Sequence, residues 1–193
     1  MPLRTGRRNW LWVITGIVLI AAAVFTVFVL VFGGEDEVIT YDTVAGVPCD
    51  SGEHLAFHGH ARLDITLEGE DFPVPDNTAI RFRPQPSTAP GEPTPKPELH
   101  CLFWLHTHTG PLVHIEAPEP REYTLGQFFA VWDQPLSETE LLDRVAEGDM
   151  TVKAFVNGEP WDGDPADIPL VDQAVISLQY GPPFVGPPTE LID

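Results

Sequence analysis

The sequence is poor in basic residues, in cysteine and in methionine. It has 10 Lys and Arg against 29 Asp and Glu among 193 residues, a formal net charge of −19. Because a phosphate backbone is bound through Lys and Arg, this balance argues against a nucleic-acid-binding protein. Apart from Met1 the only methionine is Met150, which argues against a thioether-rich copper(I) site. The sequence also has no phosphate-binding glycine loop and no convincing Ser-His-Asp arrangement.

Proline, in contrast, is abundant. The 21 prolines make up about 11% of the chain, roughly twice the usual share, which argues against a long helical bundle. Six of them lie between Pro84 and Pro97, where they predict an extended surface loop because proline cannot donate to a sheet. That loop is interpreted as a solvated insertion or as a recognition segment for an aromatic groove.

A long apolar run follows a short basic tail. Trp10 to Phe32 is 23 residues without a charged side chain, and a helix of that length rises about 34 Å, enough to cross a hydrocarbon core of ~30 Å. Three arginines precede the run, whereas all 29 acidic residues lie from Glu35 onward. The positive-inside rule therefore predicts a cytoplasmic tail (1–9), a single transmembrane helix (10–32) in the cell membrane and an extracytoplasmic remainder. The alternative is a cleaved signal peptide, although the run is longer than the ~7–15 apolar residues of such peptides.

The exported part contains both cysteines, Cys49 and Cys101. In an oxidising compartment two thiols tend to pair, and a bridge closing about 50 residues would stabilise the fold by ~2–4 kcal/mol. A disulfide is therefore expected, and the alternatives are two buried thiols or a thiolate metal ligand.

The pattern along residues 38–181 predicts one β-rich domain of the α+β class, followed by an extended tail, 182–193. Strict alternation of apolar and polar residues from Phe57 to Leu67 predicts a half-buried strand. Further strands are expected near residues 150–156 and 173–180, the former ending in an Asn-Gly hairpin turn.

Two short helices are predicted between the histidine-rich segment and the last strands. Thr124 and Gln127 have the spacing of a capping box and predict a helix to about Trp132. Ser137 and Glu140 repeat the signal and predict a helix to about Glu147.

The chain has seven histidines, and four of them form two His-x-His pairs. Residues i and i+2 of a strand point to the same side, so each pair presents two imidazoles from one face. These pairs are His58 with His60 and His106 with His108. Asp64 and the first pair are expected to complete the site of the second pair or to build another one.

A turn at residues 109–111 determines whether a third histidine joins the second pair. With three turn residues, His114 lies opposite His106 and faces the same side, and Glu116 follows two residues later. Three imidazoles on adjacent strands suit Zn²⁺ or Cu²⁺, and the carboxylate of Glu116 can ligate, act as a general base or hold a histidine N–H. The alternative is that these histidines simply bond to the backbone.

A set of segments carries most of these features: 57–65, 101–108, 114–118, 123–129 with Trp132, 156–158 and 163–165. These segments resemble an uncharacterised family of membrane-anchored exported proteins of bacteria and archaea. The resemblance covers most of residues 45–181, and no activity is established for the family. The chain differs from the family in a turn after His108 that is shorter by an even number of residues and in the Pro84–Pro97 insertion.

Three functions are compatible with these features. The leading one is a membrane-tethered, extracytoplasmic metal-binding domain that handles or senses Cu²⁺ or Zn²⁺. The second is a zinc-dependent hydratase or hydrolase, in which a metal-bound water has its pKa lowered to ~7. The third is a metal-free interaction module or an accessory subunit of a membrane assembly with an unidentified protein partner, using exposed aromatic residues (Phe128, Phe129 and Trp132) or the proline segment.

Overall fold

A computed structural model describes residues 42–85, 91 and 94–190. The expected transmembrane segment, 10–32, lies outside the described residues, as do 86–90 and 92–93 of the proline segment. Within the ranges described, every helix is too short or too polar to span a membrane.

The described part of the chain is β-rich, with 43% of it in strands and 8% in helices, as the alternating sequence pattern predicts. It contains a single α-helix, α1 (Leu125–Trp132), and one 3-10 turn, Pro165–Asp167. The strands β1 to β16 are, in order, Thr43–Val44, Val47–Asp50, Phe57–Leu67, Glu70–Phe72, Ile80–Phe82, Leu99–Phe103, Leu105–His106, Leu112–Ala117, Tyr123–Thr124, Leu136–Ser137, Glu140–Leu141, Arg144–Val145, Thr151–Val156, Glu159–Pro160, Pro169–Leu170 and Val175–Gly181.

The main sheet is built around β3, whose bounds are those predicted from the alternation. Its strand order is β14–β13–β16–β3–β8–β7, and β4 pairs with the end of β3. β3 is parallel to β16 and antiparallel to β8. Alternate residues of β3, such as Ala61, Leu63 and Ile65, are buried in the core, so the intervening polar residues share the other face.

A second sheet, in the order β1–β2–β6–β5, carries the disulfide. Cys49 on β2 is bonded to Cys101 on β6, across two antiparallel neighbours, which confirms the expected bridge and excludes both alternatives. The same chain continues from β6 through Trp104 into β7, and the Trp104 N–H donates to the Pro48 carbonyl. The bridge therefore anchors the segment that leads into the second histidine pair.

The first predicted helix is confirmed, together with its capping box. The Thr124 hydroxyl accepts from the Gln127 N–H, and the Gln127 side chain accepts from the Thr124 N–H, so two otherwise unpaired helix donors are satisfied. The helix buries Phe128 and Phe129 completely. The prediction that these two residues form an exposed docking surface is therefore wrong, because the apolar stripe of this short helix faces the core.

The second predicted helix is wrong. Residues 136–145 contain the short antiparallel strands β10, β11 and β12 where a helix was expected over 137–147. The Ser137 hydroxyl accepts from the Thr139 N–H as in a turn, and Leu142 has a left-handed φ of 55° that a helix does not allow. Leu141 and Leu142 are both buried, so packing against the core overrides the local helix signal.

Candidate metal centre

Three histidines form a row across adjacent strands of the main sheet. His114 on β8 is directly opposite His106 on β7 and directly opposite His60 on β3. The expected register of the β7–β8 hairpin is thereby confirmed. Adjacent strands lie ~4.8 Å apart and opposed side chains share a face, which places the three imidazoles on one side of the sheet.

Two further histidines flank this row. His58 lies two residues before His60 on β3 and is opposite Glu116, whereas His108 lies in the loop that follows β7. The ring centroids of His58 and His108 are 5.9 and 4.8 Å from that of His114. The sequence pattern had placed His108 in a strand. His108 lies in a loop instead, and it still reaches the cluster.

The loop that carries His108 is held by residues 75–78. Thr107 is buried, its N–H donates to the Thr78 carbonyl and its hydroxyl donates to the Pro75 carbonyl. The His108 carbonyl in turn accepts from the Asn77 N–H. These bonds fix the backbone on which the second histidine pair is presented.

The backbone of His60 is positioned from the other side by Asp172. The Asp172 carboxylate accepts from the His60 N–H at 2.9 Å. A Cβ on the preceding residue, Gly59, would lie 3.2 Å from the Cβ of Asp172. A glycine between the two histidines of the first pair therefore permits this close approach.

His106 presents one defined nitrogen to the cluster. It is fully buried, and its Nδ1 donates to the Phe103 carbonyl at 2.8 Å, which leaves the lone pair on Nε2. That Nε2 lies 3.3 Å from the Nε2 of His108. Burial and the neighbouring His108 lower the pKa of His106 to about 4, so at neutral pH the ring is uncharged, as a metal ligand must be.

His114 is the central ring and is also neutral. Burial lowers its pKa to about 3, and the imidazoles of His106, His60, His108 and His58 add to the effect. Its Nδ1 lies 3.2 Å from Oε1 of Glu116. Packing several imidazoles around a half-buried ring therefore disfavours protonation and preserves lone pairs for a cation.

Glu116 is a buried carboxyl group with one unsatisfied oxygen. Its Oε1 faces the Nδ1 of His114 at 3.2 Å and the Nε2 of His58 at 3.3 Å. Its Oε2 is buried and has no hydrogen-bond partner among the described residues. Burial, reinforced by Glu53, raises the pKa of Glu116. Leaving a buried acceptor unpaired costs about 1–3 kcal/mol, which a bound cation would offset.

Glu53 belongs to the cluster and was not predicted from the sequence. Its Oε1 lies 3.1 Å from the Nε2 of His108, although 55 residues separate the two positions. The residue lies in an irregular loop between β2 and β3. No sequence periodicity there indicates the direction in which a side chain points. The one sequence signal for a metal-binding role was that this acidic residue directly precedes a histidine, His54.

The other polar candidates have different partners. Asp64 forms a two-point ion pair with Arg62, at 2.6 and 2.8 Å, in which both of its carboxylate oxygens accept from the guanidinium group. His54 bonds to Asp50 at 2.6 Å. His100 lies on β6 in the second sheet. The expectation that Asp64 contributes to a metal site is therefore not supported.

The geometry of the cluster is compatible with a metal ion in three overlapping ways. In each set, one ligand atom per residue lies within 4.8 Å of the others. All six metal ligands expected from the sequence occur in these sets, and Glu53 is added. The sets are His58, His60 and His114; His106, His108 and His114; and Glu53, His106 and Glu116.

Two surface grooves lie apart from these sets. One, of about 460 Å³, is lined by residues that include Lys153 and Trp161. The other, of about 930 Å³, is lined by residues that include Arg121, Tyr123 and Asp172. The clustered histidines line neither groove, so the grooves do not support the hydratase or hydrolase alternative. That alternative stays a prediction.

The chain matches none of the protein-family models, none of the curated proteins and none of the solved structures with which it was compared. The resemblance to a family of exported proteins accordingly stays a prediction.

Proposed function

We propose that this protein is a membrane-tethered, extracytoplasmic domain that binds Zn²⁺ or Cu²⁺ and serves to handle or sense the ion. The observation that carries the proposal is the approach of ligand nitrogens of His106, His108 and His114 to within 4.8 Å of one another. Such a three-imidazole set is a donor set that both ions favour.

The protonation of the cluster supports binding at neutral pH. His106 and His114 have pKa values lowered to about 4 and about 3, chiefly by burial, so an ion does not compete with protons for these two rings. The Nδ1 of His106 donates to a backbone carbonyl, which fixes the tautomer of the ring. Metal-bound histidines typically donate their second ring nitrogen in this way.

The proposed location follows from two other features. The uncharged run at 10–32, with arginines before it and acidic residues after it, is the sequence argument for a tether with the domain outside. The Cys49–Cys101 disulfide supports an oxidising compartment, since such bonds are rare in the cytosol. A net charge of −19 would also concentrate cations near the protein surface.

Affinity measurements on full-length protein test this function. The His114→Ala variant lacks the ring shared by both three-histidine sets, and we expect its Zn²⁺ affinity to fall at least 100-fold in competition with a chelating indicator. Loss of an outer-sphere partner alone typically costs 10–100-fold. The control is His100→Ala, which changes a histidine on β6 outside the sets. Equal affinities for wild type, His114→Ala and His100→Ala would refute the proposal.

A further inference from the structure

The histidine cluster has two similar halves on either side of His114. On the β7 side, His106 and His108 have ring centroids 5.3 and 4.8 Å from that of His114. On the β3 side, His58 and His60 have centroids 5.9 and 4.5 Å away. In each half, one ring stacks on His114, at 12° and 17°, and the other meets it edge-on, at 84° and 88°.

A carboxylate lies beside each half. Glu53 lies 3.1 Å from His108, and Glu116 lies 3.3 Å from His58. Glu116 lies between the halves, because one of its oxygens is also within 4.8 Å of ligand atoms of Glu53 and His106. The cluster thus contains five imidazoles and two carboxylates, whereas a tetrahedral ion takes four ligands at most. A single ion would leave the second histidine pair packed against a cation without contacting it.

We propose that the cluster binds two divalent transition-metal ions side by side. The first is held by His106, His108 and His114, with Glu53 adjacent, and the second by His58, His60 and Glu116. This inference rests on the proposed metal-binding function and specifies its stoichiometry.

His114 belongs to both three-histidine sets, so the second ion needs a third ligand from another residue. One imidazole nitrogen has one lone pair and binds one ion, so the two three-histidine sets cannot both be complete through the same atom. Glu116 supplies the missing donor for the second ion, because its Oε1 faces His58 and its Oε2 is buried without a hydrogen-bond partner among the described residues. Two histidines and a glutamate are an established three-ligand set for Zn²⁺.

The sheet determines the distance between the two ions. One ion lies between β7 and β8 and the other between β8 and β3, so their separation is about one strand spacing, ~4.8 Å. Two dications at this distance repel each other, and the carboxylates of Glu53 and Glu116 offset this repulsion. We therefore expect the second ion to bind more weakly than the first.

Stoichiometry tests the inference on full-length protein stripped with a chelator, loaded with excess Zn²⁺, desalted and analysed for metal per chain. We expect two ions in the wild type and in the His100→Ala control. The double variant His58→Ala/His60→Ala removes donors of the second ion, and we expect it to retain one. Glu53→Gln/His108→Ala changes two part-exposed side chains of the first half and should also retain one, with a near-ultraviolet circular dichroism spectrum like that of the wild type.

A Cu²⁺ titration followed by electron paramagnetic resonance provides the second measurement. The first equivalent should give the spectrum of an isolated ion, and the second should broaden it through coupling between neighbouring spins. Saturation of the wild type at one ion would overturn the two-ion inference and leave the proposed function standing. Two ions in both double variants would also overturn the two-ion inference, whereas no bound ion in the wild type would overturn the inference and the proposed function together.

Discussion

His106 and His114 stand directly opposite each other on β7 and β8, with ring centroids 5.3 Å apart and ring planes inclined by 12°. Ligand nitrogens of the two rings lie within 4.8 Å of each other, and protonation of either ring would place a charge against the other. Because their pKa values are lowered to about 4 and about 3, the pair is uncharged at neutral pH, as the proposed binding of a cation requires.

The pH dependence of metal-free stability follows from these shifts. Since the unfolded chain binds a proton at each histidine near pH 6.5 and folded His106 only near pH 4, the unfolded state gains protons first as the pH falls. The contribution of His106 to stability is therefore present above pH 6.5 and is lost as the pH falls towards 4. Between pH 7 and pH 5 the loss should be about 2 kcal/mol.

Urea denaturation of chelator-treated protein at pH 7 and pH 5 measures this loss. The His106→Gln variant has no titrating ring at that position, so its stability should fall less over the same interval, and the difference between variant and wild type isolates His106. Parallel losses in the two proteins would show that His106 is protonated equally in the folded and unfolded states.

Glu116 should influence stability and metal affinity in opposite directions. Burial raises its pKa, so the folded state favours the protonated carboxyl group. The contribution of this protonated group to stability is present at low pH and is lost as the pH rises through the raised pKa. The Glu116→Gln variant keeps the size of the side chain without the charge, and we expect it to make the metal-free protein more stable at pH 8.

The same substitution should weaken Zn²⁺ binding 10-fold or more, because an amide oxygen replaces a carboxylate. Unfolding in chelator and competition binding check the two effects on one preparation. Glu119→Gln, which neutralises an exposed acidic residue after β8, is the matched control and should change neither quantity. A Glu116→Gln protein that keeps wild-type affinity would mean that this carboxyl group is not a ligand.

The disulfide should support the metal centre as well as the fold. Cys49 and Cys101 join β2 to β6, and β6 ends at Phe103, whose carbonyl orients His106. We expect Cys49→Ser/Cys101→Ser to lower the free energy of unfolding by ~2–4 kcal/mol and to reduce Zn²⁺ affinity. Reduction of the wild type with a phosphine, with the reductant removed under nitrogen before titration, should have a comparable effect, and the same treatment should leave the double variant unchanged. An unchanged Zn²⁺ affinity after reduction would show that the disulfide does not support the metal site.

The N-terminal run should retain the protein at the membrane. We expect full-length protein in the membrane fraction to resist alkaline carbonate extraction, and its intact mass to include residues 1–32. Addition of protease to spheroplasts should digest the domain while it spares a cytoplasmic reporter fused to the N-terminus. A secreted product that begins after residue 32 would identify a cleaved signal peptide instead.

The sequence predicted those features that depend on short-range patterns. The bounds of β3 follow from strict alternation, and α1 follows from the four-residue capping signal at Thr124. The pairing of Cys49 with Cys101 followed from cysteine number and the inferred compartment, and the opposition of His106 and His114 from turn length.

Features that depend on long-range packing could not be predicted in this way. The capping signal at Ser137 was overridden because Leu141 and Leu142 are drawn into the core. Glu53, in the β2–β3 loop, contacts His108 only in the folded chain, and no local pattern encodes that contact. The burial of Phe128 likewise depends on which side of α1 faces the core.

X-ray absorption at the zinc edge of full-length protein, loaded with Zn²⁺ and desalted, tests the central claim most directly. The account predicts a first shell of nitrogen and oxygen at about 2.0–2.1 Å, with the outer-shell scattering of imidazole rings, which His114→Ala should diminish. A first shell of oxygen alone without imidazole scattering, or a spectrum unchanged by His114→Ala, would contradict the claim that these histidines bind the ion.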